Sequence, residues 1–372
     1  KTMISDQLSF VHLAKAWFTA ADFRYIQARR IGGGKIGGKA AGMLLAWKIL
    51  QTAAPHLARQ VQIPRSYFIG ADVFYDFLSL NDIEYINQKY KTAEEIAADY
   101  PVIEHAYAQA HLPEAVTAHL SDILREVGKR PLIVRSSSLL EDNFGTSFAG
   151  KYHSYFCPNQ GTAEENLAAL TLAIRRVYAS AHNPDALLYR RRMGLLDYDE
   201  RMAILLQEVQ GQAYRDYFFP AAAGVAFSFA PIVWNPRLRR EEGFVRLVMG
   251  LGTRAVERVG EDYPRLVTLS HPLLRPEVSP SAIRRYSQRL VDVIDLKKNE
   301  LTTLPLRQVI DWQYPPLRWL ASADKGDTLL PIFSLGPELA SERLVPTFDN
   351  LLQRTSFVPL IKEVLATLEQ HY

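Results

Sequence analysis

Ala40, Met43, Leu44 and Trp47 follow the i, i+3, i+4, i+7 spacing of one apolar helix face, directly behind a cluster of glycines. The same period runs through Leu167, Leu170, Ile174, Val177 and Tyr178, behind Thr162-x-x-Glu165, the pattern of a capping box. Short apolar runs bounded by turn residues predict strands near 63–69, 131–134, 202–209, 221–229 and 265–269. Residues 1–30 mix aromatic and basic side chains and read as a helical lead-in closing on a short strand. The stretch 61–130 reads as mainly helical after its opening strand. Beyond Arg275 prolines break the pattern, until Ile361, Val364, Leu365 and Leu368 mark a last helix over 360–368.

Composition narrows the field. The 372 residues carry 43 Lys and Arg against 40 Asp and Glu, a net charge of +3, which is close to neutral for two or three domains' worth of chain. The densest basic run is Arg190-Arg191-Arg192, which argues against a nucleic-acid binder working by phosphate neutralisation. A single cysteine, Cys157, excludes an intrachain disulfide and any cysteine-based zinc cluster. The uncharged stretch 218–234 contains Pro220 and Pro231 and reads as buried strand rather than a bilayer span. Lys1 opens the chain with no apolar leader behind it. A cytoplasmic location and a processed or partial chain are the expectations.

Candidate chemistry begins at Ile31-Gly32-Gly33-Gly34-Lys35-Ile36-Gly37-Gly38-Lys39. Lys39 falls at a loop-to-helix junction, where free amide groups and the helix dipole attract anions. Gly32, Gly34 and Gly37 fit a dinucleotide fingerprint, but no acidic residue follows at the required distance. Gly33, Gly38 and Lys39 fit a P-loop, but Ala40 stands where a magnesium-binding Ser or Thr belongs. A glycine turn whose lysine meets a nucleotide phosphate without a P-loop cradle, and an ordinary solvated turn, both remain open. The histidines, among them His153, His182 and His271, lack metal-ligand spacing and read as structural or exposed.

Gly37-Gly38-Lys39-Ala40-Ala41-Gly42-Met43 resembles the opening of the nucleotide-binding domain of phosphoenolpyruvate synthase and pyruvate phosphate dikinase. Ile133-Val-Arg135-Ser-Ser-Ser-Leu-Leu-Glu141-Asp142 and Ser147-Phe-Ala-Gly150-Lys-Tyr152 resemble its V-R-S-S…E-D and S-F-A-G segments. Met202 to Val209 is similar to its hinge strand, Gly224-Val-Ala-Phe227 to the strand after it, and Gly250-Leu-Gly252 to its G-L-G turn. The resemblance implies an α+β, ATP-grasp-like fold with ATP between two lobes. The lobes would follow an extension over 1–25, the first over 26–206 and the second, incomplete, over 207–372.

It also implies roles. Lys39 would be a point charge on the phosphates, held by Gly37 and Gly38. Arg135 would be a rigid fork for two phosphate oxygens, with a salt bridge to Glu141 or Asp142 as the plainer alternative. Ser136, Ser137 and Ser138 would add donors, and Leu139 stands where the family often has Thr. The loop from Ser147 to Gly150 would close over the phosphates. Gln207, Glu208 and Val209 would offer backbone groups to adenine, and Gly250, Gly252 and Thr253 would line the ribose side. If Lys39 and Arg135 act only on nucleotide, replacing them should spare the stability of the unliganded chain.

The family's magnesium carboxylates, an Asp/Glu-x-Glu pair followed by Q-x-R-P, have no match here, so Mg2+ ligands are expected beyond Tyr372. Phosphohistidine and pyruvate-binding domains are expected elsewhere in the parent protein. The implied function is the ATP-binding part of a phosphotransferase that phosphorylates a carrier histidine, first of all for making phosphoenolpyruvate from pyruvate. A glucan or antibiotic acceptor, and a regulatory or scaffold module without catalysis, are the alternatives.

Overall fold

The computed structural model describes residues 3–5, 8–138, 142–143, 146–147, 150–198, 200–230, 232–256, 262–334, 336–338, 340 and 343–371. Leu139, Glu141 and Phe148 lie outside them, as do the side chains of Asp142 and Ser147. The chain forms two compact units, 1–209 and 210–372.

The first unit opens with helices α1 (Leu8–Trp17) and α2 (Ala20–Ala28), then strand β1 (Arg30–Ile31), α3 (Gly38–Ala53), α4 (Pro55–Ala58) and β2 (Ser66–Ile69). Helices α5 (Ala71–Leu80), α6 (Ala93–Gln109) and α7 (Glu114–Val127) follow, then β3 (Leu132–Ser136) and the short strands β4 (Asp142–Asn143) and β5 (Thr146–Ser147). Strand β6 (Ser154–Cys157), α8 (Ala163–Ala179), α9 (Pro184–Arg192) and β7 (Ile204–Glu208) complete it. Thr162 caps α8 as its sequence requires: its hydroxyl accepts from the Glu165 amide at 3.2 Å and the Glu165 carboxylate accepts from the Thr162 amide at 2.8 Å.

Five strands form one sheet in the order β1-β2-β7-β3-β6, antiparallel except for the parallel β1–β2 pair. Leu132, Val134, Ile204 and Leu206 alternate onto one face and pack with Phe77, Tyr107, Leu120, Leu170 and Tyr178 of the helices. Ile133, Arg135 and Gln207 fall on the opposite face by the same alternation, because Ile133 pairs with Gln207 in register.

The helical core also settles a histidine. His182 is partly buried with its Nε2 2.9 Å from the Tyr107 hydroxyl, and loss of solvation there pushes its pKa down to about 4. The unfolded chain therefore binds the extra proton more readily, so stability is lost as pH falls from about 6.5 toward 4, by roughly 3 kcal/mol in all. Urea midpoints should drop over that window, and in His182→Gln the drop should be shallower. A variant as acid-sensitive as the natural chain would show that other groups govern it.

The second unit contains β8 (Gln212–Tyr214), β9 (Tyr217–Phe219), β10 (Ala223–Phe227), β11 (Phe244–Val248), α10 (Thr253–Val256) and β12 (Arg265–Thr268). Then come α11 (Pro280–Arg285), β13 (Leu290–Asp295), β14 (Glu300–Pro305), α12 (Leu306–Val309) and α13 (Leu317–Leu320). Strands β15 (Ala321–Asp324), β16 (Leu329–Pro331) and β17 (Leu344–Pro346) and helices α14 (Asp349–Arg354) and α15 (Phe357–His371) end it. Its sheets run β10-β11-β12, β14-β13-β9-β8 and β16-β15-β17 around a core containing Phe219, Leu247, Val267, Val293, Leu317 and Phe348.

Two expectations need correction. The stretch 218–234 is not a buried strand: β10 pairs on one side only, with β11, and Phe227, Phe229, Ile232 and Val233 are exposed. An uncharged run signals burial only when both its strand edges and faces are covered. The chain beyond Arg275 is also more regular than its prolines suggest. Pro305 sits at the end of β14 and Pro280 in the first turn of α11, positions that need no amide donor. Among the described residues no helix is long and apolar enough to cross a membrane.

Candidate nucleotide-binding site

The glycine cluster divides into two halves with different neighbours. In the first half, the Gly33 amide donates to Asp72 Oδ2 at 2.5 Å, and Arg30 Nη1 donates to the carbonyls of Gly33 and Gly34 at 2.8 Å each. A β-carbon at Gly34 would stand 2.5 Å from Asp72 Oδ1 and 2.6 Å from the Asp72 amide. These glycines are small so that the loop can lie against the start of α5.

The second half meets the serine loop at the end of β3. Lys39 Nζ donates to the Ser136 carbonyl at 3.1 Å and to its Oγ at 2.9 Å. The Ala40 amide donates to Ser137 Oγ at 3.1 Å, and the Gly38 amide to the Ser138 carbonyl at 3.2 Å. Gly37 has φ +80°, and a β-carbon there would stand 1.4 Å from the Ser137 carbonyl oxygen. Two of the first amides of α3 are thus capped by the serine loop. The expectation of free amide donors at this helix start is corrected accordingly: an adjacent loop rich in hydroxyls and carbonyls reached them first.

Ser136, Ser137 and Ser138 are all fully buried. The Ser138 hydroxyl donates to Glu200, as does that of Tyr152, and Arg190 Nη1 lies 3.7 Å from the same carboxylate. Glu200 and Arg190 are themselves buried. The serines therefore fix the loop's shape before any ligand arrives, which differs from their expected part as anion donors.

Arg135 Nη1 donates to Gln207 Oε1 at 3.1 Å. The Gln207 amide nitrogen lies 3.0 Å from Ser66 Oγ and 3.2 Å from Met43 Sδ, so one side chain joins β3, β2 and α3. Lys39 binds the residue next to Arg135, and Arg135 binds the partner of Met43, one helical turn beyond Lys39. Lys39 and Arg135, far apart in sequence, are thus attached to adjoining parts of the same sheet, at Ser136 of β3 and Gln207 of β7.

Glu208 and Val209 stand differently from their expected adenine contacts. The Glu208 amide donates to the Arg65 carbonyl at 3.0 Å and the Val209 amide to the Pro131 carbonyl at 2.8 Å. The Glu208 carboxylate is buried between Arg130 at 2.9 Å and Arg65 at 3.3 Å. An inner strand uses its amides for the sheet. Gly150 is exposed with φ +73°, and Ser147 lies in β5 opposite Asp142.

Gly250 and Gly252 belong to the second unit. Gly250 has φ +80°, and a β-carbon would stand 2.3 Å from Val291 Cγ2. The Leu251 amide donates to the Asp292 carbonyl at 3.0 Å, Thr253 Oγ1 to Asp292 Oδ2 at 2.5 Å and Arg254 Nε to Asp292 Oδ1 at 3.0 Å. This turn seats α10 on β13.

The sequence gives weaker notice of Gln207's side chain, Glu200, Met43 and Asp72. The one signal was a Gln inside an otherwise apolar strand, since a buried amide must find partners. Among the described residues no three His, Cys, Asp or Glu side chains converge as metal ligands.

A lysine at a glycine turn and an arginine at a strand end adjoin the buried serine loop, groups of the kind that attract anions. The sequence profile of the pyruvate phosphate dikinase AMP/ATP-binding domain matches residues 34–372, and the chain belongs to that family. It is 29% identical over 213 residues to a rifampicin phosphotransferase of Streptomyces sviceus, covering 54% of this chain and 23% of that protein. The matched region spans about a quarter of the relative's length.

Proposed function

We propose that the first unit of this ATP/AMP-binding domain binds ATP through Lys39 and Arg135, as part of an ATP-dependent phosphotransferase that phosphorylates a carrier histidine on a separate domain. The attachment of Lys39 to Ser136, the residue next to Arg135 at the end of β3, supports the reading. A triphosphate brings several negative charges, and a bidentate arginine beside a lysine lowers the cost of holding them. Gly37 and Gly38 set the lysine, the three serines hold the loop, and Gly150 and Ser147 belong to the segment that would close over the phosphates. Phosphoryl transfer rests mainly on such positioning and charge neutralisation.

The final acceptor follows from the remainder of the parent protein. Pyruvate, giving phosphoenolpyruvate, is the first reading. A rifampicin-like antibiotic is the second, supported by the similarity to the Streptomyces sviceus enzyme.

Fluorescent ATP titrated against the chain tests the proposal. Lys39→Ala and Arg135→Ala should each weaken binding about tenfold or more, the effect of losing a charge-assisted contact of roughly 1.5–3 kcal/mol. Affinities equal to the natural chain's would overturn it. Because both side chains also bond protein atoms, each variant should lose about 1 kcal/mol of unliganded stability. That revises the expectation of an unchanged melting temperature.

A further inference from the structure

The second unit contains a cavity of about 430 Å³ between the end of α11, the start of β13, α12 and β17. Three arginines line it: Arg284, Arg289 and Arg307. The one carboxylate in its lining, Asp324, is already held by Arg284 at 3.4 Å, and Arg284 also donates to the Pro280 carbonyl. Among the described residues the Arg289 side chain reaches only a carbonyl, that of Arg285, at 3.1 Å. Among the described residues Arg307 makes no hydrogen bond or ion pair, and its side chain is exposed on α12. Two further arginines, both exposed, thus line a space whose one carboxylate, Asp324, is already paired with Arg284.

Like charges gathered around a cavity repel, and a chain gains nothing from gathering them unless an anion joins them. The rest of the wall is of a different kind. Leu290, Leu306, Ile310 and Val345 contribute apolar surface, and the buried side chains of Ser287 and Gln288 lie at its base. Gln288 is fixed there, accepting from the Met249 amide at 2.7 Å and donating to the Leu290 carbonyl at 2.8 Å. The volume suits a small molecule, and apolar walls with a few convergent polar groups are the usual make-up of a ligand pocket.

We infer that this cavity is a binding site for a small organic anion, an apolar body bearing a phosphate or carboxylate group, with Arg289 and Arg307 on the anionic end. Every group of the site lies within 284–346, and none belongs to the Lys39 and Arg135 constellation. The inference therefore stands or falls separately from ATP binding.

Phenyl phosphate is a suitable probe, with benzoate as the carboxylate counterpart, inorganic phosphate as the anion without an apolar body, and phenol as the body without charge. Calorimetric titration at low salt should show phenyl phosphate or benzoate binding more tightly than either inorganic phosphate or phenol. Arg307→Gln and Arg289→Gln should each weaken the preferred probe about tenfold, the usual scale for a charge-assisted contact. Arg307→Gln should melt like the natural chain without ligand, since it removes no bond of the folded protein. Lys39→Ala should leave the probe's affinity unchanged. Failure of both organic anions to bind, or affinity indifferent to both arginine substitutions, overturns the site. Loss of binding in Lys39→Ala would assign the probe to the nucleotide site and overturn it equally.

Discussion

Gly37→Ala should destabilise the first unit by about 3 kcal/mol or more and abolish measurable ATP binding. The backbone at this position has φ +80°, a region that disfavours any residue with a β-carbon. The added carbon would also stand 1.4 Å from the Ser137 carbonyl oxygen and 2.4 Å from its carbon, so either α3 or the serine loop must move. Movement of either one breaks the bonds from Gly38, Lys39 and Ala40 to residues 136–138. Differential scanning calorimetry with fluorescent ATP titration checks both parts. A variant that melts like the natural chain would mean that the two loops are farther apart in solution than in this structure.

Glu200→Leu should cost about 3–5 kcal/mol, because it strips a buried arginine of its carboxylate. Arg190 lies in the same interior, and Ser138 and Tyr152 both donate to Glu200. Glu200→Gln keeps an acceptor of the same shape and should lose less. The readout that distinguishes a role in shaping the site from bulk stability is ATP affinity, measured well below the melting temperature. It should fall in Glu200→Gln, since the far end of the serine loop is released. Unchanged affinity in that variant would show that Glu200 supports the fold alone.

Much of the architecture was legible from periodicity. The Thr162 cap, the helix carrying Met43 and Leu44, the strand delivering Arg135 and the last helix all appear where apolar spacing put them. All but the last helix, whose apolar face is only partly covered, bury residues against a partner layer, the condition under which spacing and structure agree. Strand β10 departs from its pattern because its setting as a sheet edge depends on β11 and β12, which lie later in the chain. In the site, residue type pointed to Lys39 and Arg135, since few reasons place a lysine after paired glycines. Glu200, Asp72 and the side chain of Gln207 gave little notice. Their partners come from remote segments, and a buried carboxylate looks the same in sequence as an exposed one. The two roles of the glycine cluster were hidden for the same reason: Asp72 and Ser137, which separate them, are distant in the chain.

The charged ends of positions 39 and 135 are each docked on protein groups, Ser136 and Gln207 among them. An arriving anion must compete for them, so its net gain is the difference between the contacts it makes and those it breaks. The docking thus holds two long, flexible side chains in place beforehand, which lowers the entropy that ordering them on a ligand would cost.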